Sequence, residues 1–238
     1  MFVPASSLSI ENPCVRQVGS FAELLSTPFS GAVNALCWPR RLAGDFDAIA
    51  AAAGPLDEIT GLDEDDLRSL SLGPEGRIAR EQLIADLRLL REARLEPSLD
   101  LIPAYPREVE PGPVPIDVYD WHADSANVLA DTFLCSYTVA ASEGVANAEA
   151  IRRIDIPETR AELLRCFGGP DDAAFAEWCR EHCYDLHYAA LPRARVFSFG
   201  FGNLWRIATQ CPGSPVPPCI HRAPATTPGQ APRLLLIS

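Results

Sequence analysis

Apolar positions recur every three or four residues in the first third of the chain and again between residues 157 and 190, a spacing that predicts amphipathic helices. The pattern is clearest over residues 76–98, where Leu83 and Leu87 fall on one stripe and Pro97 is expected to end the helix. Helices are predicted over residues 44–54, 62–73, 76–98, 157–168 and 171–190.

After residue 98 the pattern changes to short apolar or alternating runs, rich in β-branched and aromatic residues, which are typical of strands. Strands are predicted over residues 34–38, 98–106, 116–124, 131–141, 194–200, 203–209, 217–223 and 232–238. The sequence therefore predicts an α+β protein with a mainly β core. Because no flexible linker occurs, we expect a single domain over residues 1–238, in which a helical supporting region (1–98) precedes the β core (99–238) with its helical insert at about 157–190.

The charge balance narrows the expected partners. The chain has 32 acidic residues against 20 arginines and no lysine, a formal net charge of −12. Such a surface repels phosphate backbones and the arginines form no basic strip, so we expect no nucleic-acid partner. The first residues lack a signal-peptide pattern and no run reaches about 18 apolar residues, so no membrane association is expected. The eight cysteines are irregularly spaced, which favours reduced thiols and a cytoplasmic location.

Candidate chemistry first appears in the stretch WHADS, which places His122 and Asp124 two residues apart at the end of a predicted strand. Side chains alternate along a strand, so both are expected on the same face. An imidazole and a carboxylate arranged in this way are two of the three ligands of a non-haem Fe(II) site, which needs a second histidine. The alternative is structural: a histidine at a strand end beside a surface aspartate.

The end of the chain supplies a second histidine and an arginine. His221 lies in a predicted strand, and Arg233 starts another strand after a Pro-Gly reversal. A buried arginine keeps its charge and needs an anion, which a small dicarboxylate would provide. Two plainer interpretations remain open at this point: a terminal β-hairpin that packs the core, and an arginine that pairs with a local Asp or Glu.

Taken together, these residues resemble the Fe(II)/2-oxoglutarate-dependent dioxygenases, over roughly residues 116–238. The resemblance implies a cupin-like double-stranded β-helix, or jelly roll, flanked by the N-terminal helices and the helical insert. It implies that His122, Asp124 and His221 bind Fe(II) and that Arg233 binds the distal carboxylate of the cosubstrate 2-oxoglutarate. The family often has a serine two positions after this arginine, where this chain has Leu235. We therefore expect the hydroxyl partner to be Thr132 or Tyr137.

The resemblance implies an oxygenase that releases succinate and CO₂ and hydroxylates a small metabolite, an amino acid-like molecule or a protein side chain. Arg206, Arg222 and Trp205 are candidate substrate contacts. Two alternatives stay open: another cupin-like metalloenzyme that uses the same three ligands, and a non-catalytic β-sandwich binding domain.

A competing metal site lies in the stretch CREHCYDLH, which contains Cys179, His182, Cys183 and His187. On the predicted helix 171–190, three of these four residues share one stripe and could hold zinc. One straight helix rarely wraps a metal, and the stripe also carries Phe175. We therefore interpret it as a face buried in the core or lining a pocket, with His182 as a candidate pocket residue.

Overall fold

The structure, a computed structural model, describes residues 12–54, 56–107, 112–138, 140–226 and 230–238. Within these ranges the chain forms helices both before and after the central strands. The α-helices are α1 (Phe21–Ser26), α2 (Asp47–Ala53), α3 (Glu64–Ser69), α4 (Pro74–Glu92), α5 (Pro157–Phe167) and α6 (Ala173–Glu181). Five of the six fall within the predicted helical ranges or overlap them, whereas α1 was not predicted.

The largest element is a seven-stranded sheet. Its strands are β1 (Val15–Gln17), β2 (Ala35–Trp38), β3 (Thr60–Gly61), β4 (Ser98–Ile102), β5 (Asp131–Ser136), β10 (Leu204–Ala208) and β12 (Arg233–Ile237). The order across the sheet is β1-β2-β10-β5-β12-β4-β3, and all neighbouring pairs are antiparallel except β1 and β2. The α+β class predicted from the sequence is confirmed.

The remaining strands form a smaller layer. They are β6 (Glu143–Val145), β7 (Ala150–Arg152), β8 (Tyr188–Ala190), β9 (Phe197–Ser198) and β11 (Ile220–Arg222). β11, β6 and β9 form one sheet, and β7 pairs with β8. Single-residue bridges join the two pieces, because His122 pairs through its backbone with His187 on one side and with His221 on the other.

Two apolar layers flank the large sheet. On one face, Leu234 and Leu236 of β12 pack against α4 residues such as Leu83. On the other face, Leu235 of β12 belongs to a cluster that also contains Phe197 of β9, so this face meets the smaller sheet. Alternation along β12 therefore places Arg233, like Leu235, in the space between the two sheets.

Several sequence predictions need correction. The region 1–98 contains strands besides its helices: β2 matches the predicted strand 34–38, whereas β1 and β3, which also join the large sheet, were not predicted. α4 ends at Glu92, before Pro97, and Arg94 follows with a φ of 62°. The predicted helix over 171–190 ends at Glu181, because Cys183 adopts a left-handed φ of 58° that a helix cannot continue.

The interpretation of the C-terminal residues as a β-hairpin is also wrong. β11 pairs with β6 in the smaller sheet, whereas β12 pairs with β4 and β5 in the large one. The Pro-Gly reversal at 227–229 and residue 139 of the predicted strand 131–141 lie outside the described residues. The predicted strand 116–124 does not form as a continuous strand. Within this described segment only His122 forms β-bridges.

Among the described residues, no helix combines the length and the apolar character needed to cross a bilayer.

Candidate metal centre

The three predicted metal ligands lie together on the inner face of the smaller sheet. His122 and His221 exchange both backbone hydrogen bonds, each with an N···O distance of 2.9 Å, so their side chains project from the same face. Their neighbours Trp121 and Ile220 pack on the opposite face. One ligand atom each from His122, Asp124 and His221 lies within 4.8 Å of the others, so the cluster could hold a metal ion.

Hydrogen bonds orient each of these side chains. Nδ1 of His122 lies 2.8 Å from the carbonyl oxygen of Asp120, and Nδ1 of His221 lies 3.3 Å from that of Cys219. A carbonyl can only accept, so both Nδ1 atoms carry the proton and both Nε2 atoms are available as ligands. Nε2 of His221 is 3.6 Å from Oδ1 of Asp124, whose Oδ2 accepts a 2.7 Å hydrogen bond from the hydroxyl of Thr132.

The cluster favours the protonation states that a metal requires. Burial, and then the neighbouring His221 ring, lower the pKa of His122 to about 4, so its imidazole is neutral near pH 7. Burial alone would raise the pKa of Asp124, but the His221 ring and the Thr132 hydroxyl more than offset it and hold that pKa below its usual value. A neutral imidazole and a carboxylate are therefore present before any metal binds.

Arg233 lies in the same space between the sheets, and none of its partners among the described residues is acidic. Its Nη1 donates to the Tyr105 hydroxyl at 3.0 Å, and its Nη2 donates to Ser136 at 2.9 Å and to Ser142 at 2.7 Å. Within the described ranges no ion pair reaches this guanidinium, and its buried Nε has no hydrogen-bond partner. Burial lowers the pKa of Arg233. The alternative interpretation, a pair between Arg233 and a local carboxylate, is therefore not observed among the described residues.

The two hydroxyl candidates are separated by the pleat of β5. Thr132 faces the inner space, but it binds Asp124. Tyr137 points to the opposite, helix-covered side, where its hydroxyl donates to Asp86 of α4 at 2.6 Å. Thr132 and Tyr137 are five residues apart, an odd interval that places them on opposite faces. Tyr137 therefore does not contact Arg233. The residue of this segment that does is Ser136, four residues after Thr132.

Sequence reasoning missed the three hydroxyl groups around Arg233. Stepping by two residues from Thr132 along β5 would have indicated Ser136. Four residues of a strand span about 13 Å, so the hydroxyls that hold Asp124 and Arg233 lie about that far apart along one strand. Ser142 and Tyr105 lie in segments next to other strands, and no local pattern singles them out.

The three proposed substrate contacts are dispersed. Arg206 is on the helix side of the large sheet, where it donates to carbonyls at the end of α1 and pairs with Asp131 at 2.7 Å. Arg222 is on the outer face of the smaller sheet and pairs with Glu143 at 2.7 Å. Trp205 does face the inner space, where it is 1% exposed and stacks on Phe199 with ring centroids 4.4 Å apart. Neither arginine is brought to the cluster.

The competing zinc arrangement is wrong, because its residues do not share a helix. Cys179 is buried in α6, whereas Cys183 lies beyond its end and is exposed. The exposed His182 packs against Trp178, with ring centroids 4.7 Å apart. His187 instead reaches the inner face, buried beside His122 with ring centroids 6.0 Å apart. The histidine near the His122–Asp124–His221 cluster is thus His187 and not His182.

Comparisons of the chain with protein-family models, with curated proteins and with solved structures find no match. The chemistry that this fold supports is therefore to be found in the geometry of the site itself.

Proposed function

We propose that this protein is an Fe(II)/2-oxoglutarate-dependent oxygenase that hydroxylates a small metabolite, an amino acid-like molecule or a protein side chain. One observation carries the proposal. A His122–Asp124–His221 cluster and a buried arginine without a carboxylate partner in the described ranges face the same space between two sheets. The first is suited to a divalent metal and the second to a dicarboxylate.

The path of the chain supports a double-stranded β-helix. From β4 onwards the chain crosses repeatedly between the layers: β4 lies in the large sheet, the His122 bridge in the smaller layer, β5 in the large sheet and β6 to β9 in the smaller layer, and β10, β11 and β12 then lie in the large, the smaller and the large layer. β4, β5, β10 and β12 lie in the large sheet, and the others lie in the smaller layer. In the proposed jelly roll these are its two facing sheets, and the ligands project between them.

The donor set fits Fe(II). Two neutral imidazoles and one carboxylate are the ligand types of the facial triad, which leaves coordination positions for a cosubstrate and oxygen. The surroundings fit as well, since each imidazole donates its other N–H to a backbone carbonyl and Thr132 fixes the carboxylate. Such outer contacts keep the ligand atoms pointed at the metal.

The surroundings of Arg233 fit a carboxylate. Of the five N–H donors of this guanidinium, three bind hydroxyls, and among the described residues the Nε donor and the second donor of Nη1 are left for an anion. The family's serine is replaced by Leu235, but Ser136 and Ser142 supply hydroxyls within hydrogen-bonding distance of the guanidinium. The distal carboxylate of 2-oxoglutarate would bind there.

The protein's own contribution is to bind, orient and exclude water. When bound, iron and 2-oxoglutarate would supply the oxidising chemistry, with succinate and CO₂ as co-products. Thr132 holds one oxygen of Asp124 so that the other faces the histidines. Trp205 and Phe199 fill the inner space beside His221, with the Phe199 and His221 ring centroids 6.3 Å apart, and keep water from that side of the cluster.

The test is an anaerobic titration of the protein with Fe(II) and 2-oxoglutarate, monitored by the weak visible charge-transfer band of the chelate. We expect the band with the wild-type protein and with His182→Ala, a matched control that removes an exposed histidine. We expect no band with His221→Ala. A wild-type protein that binds Fe(II) but gives no band would exclude the cosubstrate, and a protein that binds no Fe(II) would exclude the metal site.

A second pair of variants tests the role of Arg233. Arg233→Gln should lower the affinity for 2-oxoglutarate, measured in the band titration, by about a hundredfold, because a charge-assisted contact in a buried site is lost. Arg222→Gln removes an arginine from the outer face and should leave the titration unchanged. If both variants bind 2-oxoglutarate as the wild-type protein does, the assignment of Arg233 is wrong.

A further inference from the structure

A cavity lies away from the His122–Asp124–His221 cluster, on the helix-covered side of the large sheet. Its volume is about 400 Å³, and its walls include Asp45, Phe46, Asp47, Tyr137 and Phe201. A smaller adjoining cavity of about 130 Å³ shares Phe46, Tyr137 and Phe201 with it. Tyr137 follows Ser136 in sequence and belongs to the core on the helix side, whereas Ser136 contacts Arg233, so the wall formed by Tyr137 lies on the other face of this strand. We call it the aromatic pocket.

Buried hydrogen bonds make one wall of the aromatic pocket rigid. Phe46 stacks on Tyr137 with ring centroids 5.2 Å apart and an interplanar angle of 24°. The Tyr137 hydroxyl is fixed by Asp86, whose carboxylate also binds Arg40 at 2.6 and 2.9 Å. A ligand would meet a preformed surface and would not need to order it.

Another wall of the aromatic pocket is a solvent-exposed aromatic ring. Phe201 is 52% exposed, in the turn between β9 and β10. It lies between Gly200 and Gly202, with φ values of 66° and 69°, in the left-handed region that favours glycine. A Cβ at Gly200 would also come within 2.8 Å of the Asn203 side chain. The glycines therefore fix a turn that holds a large apolar ring at the pocket, where it gains little from burial.

The charge of the aromatic pocket is negative. Asp45 and Asp47 flank Phe46 in sequence, both are exposed, and no ion pair with either occurs within the described ranges. Asp45 also accepts a hydrogen bond from the backbone of Ala48 at 3.1 Å, which orients it at the start of α2. Two carboxylates beside aromatic rings attract a cation, since the face of each ring carries negative potential.

We propose that the aromatic pocket binds a small organic ammonium ion, with its methyl or methylene groups against the rings of Phe46, Tyr137 and Phe201 and its charge near Asp45 and Asp47. The volume suits a small-molecule ligand. A metal ion would find only two carboxylates and no other strong ligand in this wall, whereas an alkylammonium uses both the rings and the charge. The inference does not depend on the proposed oxygenase activity.

The test compares choline with its uncharged carbon isostere, 3,3-dimethylbutan-1-ol, by calorimetry and ligand-observed NMR without added metal. We expect choline to bind about fivefold or more tightly than the isostere, the margin that a cation gains over a neutral group at aromatic rings. We expect Phe201→Ala to weaken choline binding by about the same factor, while the exposed position leaves the fold intact. Equal binding of the two compounds, or no saturable binding of choline, would overturn the proposal.

A charge-matched pair of variants isolates the carboxylates. Asp45→Asn with Asp47→Asn keeps the side-chain shape and the helix-capping capacity of residue 45 while it removes two negative charges. Glu158→Gln with Glu181→Gln removes two exposed charges on α5 and α6. Choline binding should weaken severalfold in the first double variant and stay unchanged in the second. If both double variants weaken it equally, general surface charge and not the pocket is responsible.

Discussion

Two buried arginines lie on opposite faces of the large sheet and have opposite surroundings. Arg40 donates to both oxygens of Asp86, at 2.6 and 2.9 Å, and its Nε donates to the carbonyl of Gly202 at 2.8 Å. Although burial opposes its charge, the hydrogen bond to Asp86 raises the pKa of Arg40. In the part of the chain that the structure describes, Arg233 has only hydroxyl partners and its Nε has none, and burial lowers its pKa.

The difference separates a structural charge from a binding charge. With its counterion in place, Arg40 completes a network that joins α4 to the large sheet and needs no bound anion to offset its charge. Arg233 carries the cost of burying a charge without the interaction that would offset it. A buried arginine in this state is suited to bind an anion. The His122–Asp124–His221 cluster in the same space is the reason why we propose 2-oxoglutarate as that anion.

The largest expected effect concerns the Arg40–Asp86 pair. Asp86→Ala leaves the Arg40 guanidinium buried without its counterion and removes the acceptor of the Tyr137 hydroxyl. We expect the free energy of unfolding, measured by urea denaturation, to fall by about 3–5 kcal/mol.

The control is Glu143→Ala, which breaks the partly exposed pair with Arg222. This variant should lower the free energy of unfolding by about 1 kcal/mol or less, because solvent screens the pair. If Asp86→Ala costs no more than Glu143→Ala, the two arginines do not differ in the way that their contacts indicate.

Arg233 should behave in the opposite way. Arg233→Met removes a buried charge that has no counterion in the described ranges, so we expect the free energy of unfolding without ligand to stay within about 1 kcal/mol of the wild-type value or to rise. With Fe(II) present and 2-oxoglutarate at a hundred times the Kd of 2-oxoglutarate, the free energy of unfolding of the wild-type protein should rise by about 2.7 kcal/mol. The variant should lose most of that gain. A large loss of stability in the unliganded variant would show that Arg233 is structural.

Periodicity predicted the elements of this fold better than their ends. The stripe containing Leu83 and Leu87 marked α4, and the short apolar runs marked β10 and β12. The end of α6 could not be predicted, because Cys183 in a left-handed conformation has no local sequence mark. Without that break, His187 was placed on a helix face and its position beside His122 was missed.

The candidate site was predictable where chemistry and spacing coincide. His122 and Asp124 share a face because they are two residues apart, and His221 joins them through strand pairing that no single segment encodes. The partners of Arg233 come from three distant segments, so only the folded chain brings Tyr105, Ser136 and Ser142 together.

A smaller effect should appear in the pH dependence of the metal-free protein. The pKa of His122 is about 4 in the folded state, against 6.5 for an ordinary histidine. Between these values the unfolded chain binds a proton that the folded chain does not, so stability is complete above about pH 6.5 and falls as the pH decreases towards 4. In chelator-treated protein, His122→Asn should flatten this decrease in the free energy of unfolding. His182→Asn should leave it unchanged, and the same slope in both variants would contradict the assignment.

The finest test uses two neighbouring residues on opposite faces of one strand. Ser136→Ala removes one hydroxyl from Arg233, so we expect 2-oxoglutarate to bind about fivefold more weakly in the band titration, with little change in stability. Tyr137→Phe removes one donor from Asp86, so we expect a loss of about 1 kcal/mol in unfolding and no change in 2-oxoglutarate affinity. Each variant is the control for the other. If Tyr137→Phe weakens 2-oxoglutarate as much as Ser136→Ala does, the sheet does not separate the structural arginine from the binding one.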